Sequence, residues 1–164
     1  MVTRHATAGL RAPRARSRGF TLVELMVTLT IMALLLAAAV PLTTTWLNGT
    51  RVQDAQSRLL QGYSIGKAIA LRNPTQAQVP DAAAGLKLTS DGTLLACAGD
   101  PAASSCAPGK AAVRWQTVLP AGITIVLGGN AATRTLAIDN TSLPLGTASF
   151  LISKGNENAS GTLQ

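Results

Sequence analysis

Twenty-one consecutive residues, Phe20 to Val40, carry a single charge, Glu24, and that run limits what the rest of the chain can become. Wound as a helix it rises about 30 Å, the thickness of a bilayer's hydrocarbon layer. Arg4, Arg11, Arg14, Arg16 and Arg18 precede it with no acid among them, and no comparable basic cluster follows. The positive-inside bias therefore puts the N-terminus in the cytoplasm and everything beyond the run on the exported side. Those five arginines also supply most of the net charge of +7, since the remainder holds nine Lys/Arg against seven Asp/Glu. Such a balance is a membrane address. A nucleic-acid footprint needs its basic residues clustered on the folded domain.

Two processing schemes fit this segment. In one it is an ordinary secretory signal, with Ala37-Ala38-Ala39 as the small-residue cleavage site. The length of the apolar run and the carboxylate near its start speak against that. In the other the cut falls before the run, between Gly19 and Phe20.

The stretch Arg18-Gly19-Phe20-Thr21-Leu22-Val23-Glu24 resembles the signal that prepilin peptidases cut in type IV pilins and type II secretion pseudopilins. The resemblance implies cleavage after Gly19, N-methylation of the new terminus at Phe20, and a role for Glu24 in filament assembly. Pro41 also falls where many members of that family carry a helix-kinking proline. The partners implied are other pilin or pseudopilin subunits, the prepilin peptidase and the bacterial inner membrane, with the C-terminal part periplasmic.

The physical logic of Glu24 stands beside the family name. An ionised carboxylate in the apolar layer costs on the order of a few kcal/mol unless it snorkels or is paired. Cleavage after Gly19 creates a cation, the α-amine of Phe20, one helical turn away. A neighbouring subunit's amine could pair with Glu24 in a dry filament core, and a missing partner would leave a buried charge, so the pairing would set the stagger between subunits. The plain alternative is a Glu24 that reaches the headgroups.

Beyond the run, Pro41 removes a backbone hydrogen bond and should kink or loosen the helix without necessarily ending it, and Gly49 gives a second soft point. Val52, Ala55, Leu59, Tyr63, Gly66 and Ile69 then recur every three or four residues, a helical stripe. Asp54 precedes Arg58 by four, the favourable order for a surface pair. The stripe stops at Asn73-Pro74, because the residue before proline avoids the α region. The expected organisation is a leader at 1–19, a helix at 20–73 (transmembrane over 20–40, amphipathic over 41–73) and a β-rich domain at 74–164.

In that domain Leu86–Leu88 and Leu94–Ala96 flank Asp91-Gly92, a hairpin signal. Val113–Leu119, Ile123–Leu127, Thr135–Ile138 and Ala148–Ile152 read as further strands between turn residues. The fold class is α+β, an antiparallel sheet with the amphipathic helix on one face. With aromatics at 3% of the chain, its core rests on Leu, Val, Ile and Ala.

Cys97 and Cys106 are the only cysteines, and in an exported domain they form a disulfide closing a short loop, worth roughly 2–3 kcal/mol. The sole histidine, His5, lies in the basic leader, so the folded part has no imidazole for general-base or zinc chemistry. Gly128-Gly129-Asn130 reads as a turn, since no Lys-Ser/Thr follows it. Asp81, Asp91, Asp100 and Asp139 sit in turn contexts that use Asp for local hydrogen bonds. The expectation is a protein with no catalytic residues, no metal site and no cofactor.

A long N-terminal helix, a small β domain and a short cysteine loop resemble the minor pseudopilins of the GspH/FimT type, which implies a low-copy subunit near a filament tip. Some FimT-type members bind DNA through arginines in a C-terminal tail. The tail here, Lys154 to Gln164, has one Lys, one Glu and no arginine, which disfavours nucleic acid as a partner without closing that route. Lys110, Arg114 and Arg134 could form a basic patch on the sheet, although scattered surface basics usually serve solvation.

Overall fold

The computed structural model describes residues 19–130 and 134–164, with backbone alone at 40–42. One helix, α1 (Leu22–Arg72), precedes seven strands. These are β1 (Ala84–Leu88), β2 (Thr93–Ala98), β3 (Val113–Val118), β4 (Thr124–Leu127), β5 (Thr135–Ile138), β6 (Ser149–Lys154) and β7 (Glu157–Thr162). The α+β class with antiparallel pairing is what the sequence led us to expect. The chain divides at Val40/Pro41 into two units. Of the expected leader only Gly19 lies within the described residues; α1 runs on through Pro41, whose side chain lies outside them.

The first unit holds the apolar half of α1. Every described side chain from Phe20 to Ala39 is exposed, and α1 is long and apolar enough to cross a membrane. Its threonines suit that surface. Thr28 Oγ1 donates to the Leu25 carbonyl at 2.9 Å and Thr30 Oγ1 to that of Met26 at 2.8 Å. Each hydroxyl is thus satisfied inside the helix, as hydrocarbon surroundings demand.

In the second unit the stripe Val52, Ala55, Leu59, Tyr63, Gly66 and Ile69 is buried as its period requires. α1 runs on through Gly49 and ends at Arg72. Asn73 stops it in the left-handed region (φ 40°). Its amide side chain then brackets Ala77, accepting from the backbone N–H at 2.8 Å and donating to the carbonyl at 2.9 Å. A left-handed Asn just past the helix, with a proline directly after it, is a common way for a helix to stop.

The strands form two sheets where a single sheet had been expected. One has the order β3-β2-β1-β5 and the other β4-β6-β7. The split occurs because β4 takes β6 as its neighbour rather than returning to β3. Both sheets contribute to one core with α1: Leu86, Leu94 and Ile138 from the first, Leu127, Phe150 and Ile152 from the second. The C-terminal segment is also a strand. β7 pairs with β6 across Gly155-Asn156, with Lys154 opposite Glu157. Gly155 has φ 59°, the first-position glycine that a two-residue hairpin turn favours.

β2 is buried along its whole length. Leu94 and Ala96 face the α1 core, while Leu95 and Cys97 face a second, smaller cluster with Cys106 and Val113. That cluster exists because the Cys97–Cys106 disulfide folds the segment between them over the back of the sheet. The four-stranded sheet is therefore covered on both sides, by α1 in front and by the cysteine loop behind.

Candidate functional site

The residues singled out in the sequence gather at the start of α1. Gly19, Phe20, Thr21 and Glu24 line one shallow concavity. Thr21 is the N-cap: its Oγ1 accepts from the Glu24 N–H at 3.2 Å, and its carbonyl accepts the first helical bond from Leu25 N–H at 3.1 Å. Thr21-Leu22-Val23-Glu24 thus has the spacing of a capping box. Glu24 also lies in the first turn, where the helix dipole favours a negative charge by about 0.3–1 kcal/mol. Sequence reasoning passed over Thr21, although threonine three residues before an acid and just ahead of an apolar run is the signal for it.

This arrangement has a chemical consequence. Gly19 and Phe20 precede the first helical residue, so the Gly19–Phe20 bond lies in non-helical backbone, which a peptidase can take as an extended substrate. Phe20 is 81% exposed. A helix capped by Thr21 keeps its start whether or not residues 1–19 are present, because the cap lies on the retained side. Ala37-Ala38-Ala39, the competing site, lies inside α1, in helical backbone.

Elsewhere, the structure sorts the other candidates. Cys97 and Cys106 are bonded to each other and fully buried. Asp91, Asp100 and Asp139 all serve turns. Asp139 Oδ1 accepts from Thr141 N–H at 2.9 Å, Thr141 Oγ1 at 2.7 Å and Leu143 N–H at 2.8 Å. Burial works to raise the Asp139 pKa and is outweighed by the Thr141 hydroxyl and the Leu143 and Thr141 amides, which together hold it below the usual carboxylate range. The Thr89 and Thr93 hydroxyls do the same for Asp91. Among the described residues no group of three or more His, Cys, Asp or Glu is placed to hold a metal.

The basic trio does not form one patch. Lys110 and Arg114 flank one cleft beside β3, whereas Arg134 precedes β5, at the opposite edge of the sheet. Lys154 is occupied too, its Nζ donating to the Ala121 carbonyl. Arg58, noted only as the partner of Asp54, in fact bonds β3 as well: Nη1 donates to Thr117 Oγ1 at 2.9 Å and to the Val118 carbonyl at 3.1 Å.

Compared with known proteins, the chain matches the prokaryotic N-terminal methylation motif over residues 14–40. No curated protein and no solved structure matches it. The matched segment is a prepilin signal of the type IV pilin-like kind, and it contains Gly19, Phe20, Thr21 and Glu24.

Proposed function

We propose that this chain is a structural subunit of a type IV pilin-like filament, held in the inner membrane until it is assembled. Prepilin peptidase cuts between Gly19 and Phe20, and the freed amine of Phe20 is methylated. Residues 20–40 then act as the anchor, with the β domain in the periplasm. On assembly Glu24 pairs with the Phe20 amine of an adjacent subunit. Residues 74–164 stay on the filament surface as a minor pseudopilin of the GspH/FimT type would present them, serving a type II secretion pseudopilus or a type IV pilus.

The observation that carries this reading is the methylation motif, lying across a helix start that is capped on the retained side of the cut. Two further features support it. The apolar half of α1 presents all its described side chains outward, a surface that only lipid or other apolar helices can cover. The alternative cut would have to open the helix around Ala39. A DNA-binding tail gains no support, because Glu157–Thr162 is built into a sheet and is not a free basic arm.

The mass of the mature protein recovered from its native membrane tests the proposal. A terminus at methylated Phe20 is the expected result. A terminus near Val40 would refute it and leave an exported domain without an anchor.

A further inference from the structure

We propose that the cleft between the last turns of α1 and the edge strand β3 is a docking site for an extended, acidic segment of a neighbouring subunit, whose carboxylate is held by Arg72 and Arg114. The inference rests on the subunit reading above, which supplies the neighbour.

β3 ends the order β3-β2-β1-β5, so among the described residues one side of its backbone has no strand beside it. Which groups face that side follows from the bonds already present. Thr117 is paired with Leu94, and Leu119 N–H donates inward to the Gly92 carbonyl at 2.9 Å. The carbonyl of Val118, between them, points off the sheet and is taken by Arg58. Alternation along an antiparallel strand puts the backbone of Gln116 on the same open side. An unpaired edge is a template for another strand. Arg58 blocks it at the Val118 end only.

The other end is specialised. Trp115 stands opposite Ala96 and Val113 opposite Cys97, so Arg114 is an extra residue, a bulge. Bulges re-aim side chains. This one turns Arg114 into an open cleft of about 600 Å3 whose other walls are Ile65, Ala68, Ile69, Arg72 and Pro74. Arg72 alone would be explained by its place in the last turn of the helix, where a cation is favoured. Arg114 has no such explanation.

Two guanidinium groups on one cleft repel, and Lys110 adds a third cation beside Arg114. Among the described residues neither arginine has an acidic partner, since the ion pair is Arg58–Asp54. A carboxylate between them would relieve that repulsion and be gripped by planar donors suited to it. The isoleucine and proline walls favour apolar residues on either side of the acid. A nucleic-acid duplex fits less well, for it is held by rows of phosphate contacts and gains little from an apolar floor.

The test uses the full-length protein in detergent micelles and a fluorescent peptide, acetyl-Val-Glu-Val-Glu-Val-amide. Its Gln counterpart and a short DNA duplex serve as comparisons. The Glu peptide is expected to bind. Substituting Gln in the peptide, or making Arg72→Gln or Arg114→Gln in the protein, should weaken binding about tenfold with thermal unfolding unchanged. Arg114→Lys should recover part of the loss. Equal binding of the two peptides, no effect of the arginine substitutions, or no peptide binding at all would overturn the proposal. So would duplex binding that depends on both arginines where peptide binding does not. Failure of the subunit reading would show separately, as an unprocessed terminus in cells, which the titration does not sense.

Discussion

Pro101 packs directly against the Cα of Gly85, so that β1 has no space for a side chain at that point. A Cβ there would also stand 2.7 Å from the Leu136 carbonyl oxygen, a backbone atom of the neighbouring strand that cannot swing aside. Gly85→Ala must push either the cysteine loop or β5 outward. We expect a loss of about 2–3 kcal/mol, at the upper end of what overpacking costs. Urea unfolding followed by far-UV circular dichroism checks it.

Arg58 ties the amphipathic half of α1 to β3, and its bonds separate two contributions. The pair with Asp54, at 3.0 Å, is half-exposed and should be worth well under about 1 kcal/mol. The bonds to Thr117 and to the Val118 carbonyl span two elements and end on a backbone acceptor. Arg58→Ala should therefore cost about 1–2 kcal/mol, clearly more than Asp54→Ala. Equal losses in thermal or urea unfolding would mean that the contact with β3 contributes nothing.

Asp139 makes stability depend on pH. Its folded pKa is depressed, so its contribution is complete above the unfolded value of about 4 and is lost as pH falls through the folded one. Asp139→Asn keeps an oxygen acceptor but cannot ionise. Near neutral pH the variant should be less stable by about 1 kcal/mol. As pH falls from neutral to below about 4 the gap should close, because the wild type loses stability faster. Unfolding midpoints measured across that range give the comparison.

Removal of the disulfide should act locally first. Cys97→Ala/Cys106→Ala releases a short closed loop, with an expected loss of roughly 2–3 kcal/mol. Amide exchange should quicken in residues 99–112 before it quickens in β1 or α1. The reverse order would mean that the loop is not a layer of its own.

Glu24→Gln keeps the shape and the helix start but removes the charge. Membrane insertion and cleavage should be unchanged, while incorporation into filaments should fall by at least about tenfold, as loss of a desolvated ion pair would give. Sedimentation of sheared filaments, probed for this subunit, measures it. Normal incorporation would leave Glu24 with no role beyond the first turn of its own helix.

What could be read from the sequence follows from which interactions are local. The stripe from Val52 to Ile69 was legible because a helix prints its period on the chain. The β1–β2 hairpin was legible because Gly92 marks its turn. β7 was missed because Glu157–Thr162 has no apolar alternation, and what makes it a strand is β6 alongside. The cue that existed was Gly155-Asn156, a two-residue loop signal standing between Lys154 and Glu157. The division into two sheets and the bulge at Arg114 depend on pairings between distant segments, and no local pattern announces them. At the helix start the position of Glu24 was plain, whereas Thr21 needed its hydrogen bond to be seen.

The outward-facing apolar turns of α1 also bear on how such a chain can diverge. On the function proposed above, a change at Leu29 or Met32 must suit both a bilayer and a neighbouring subunit, two demands that do not change together. A change in β1 or β6 answers to a single fold, and a compensating change nearby can rescue it. Descendants of this gene should keep the opening turns recognisable long after their surface domains have lost any visible likeness.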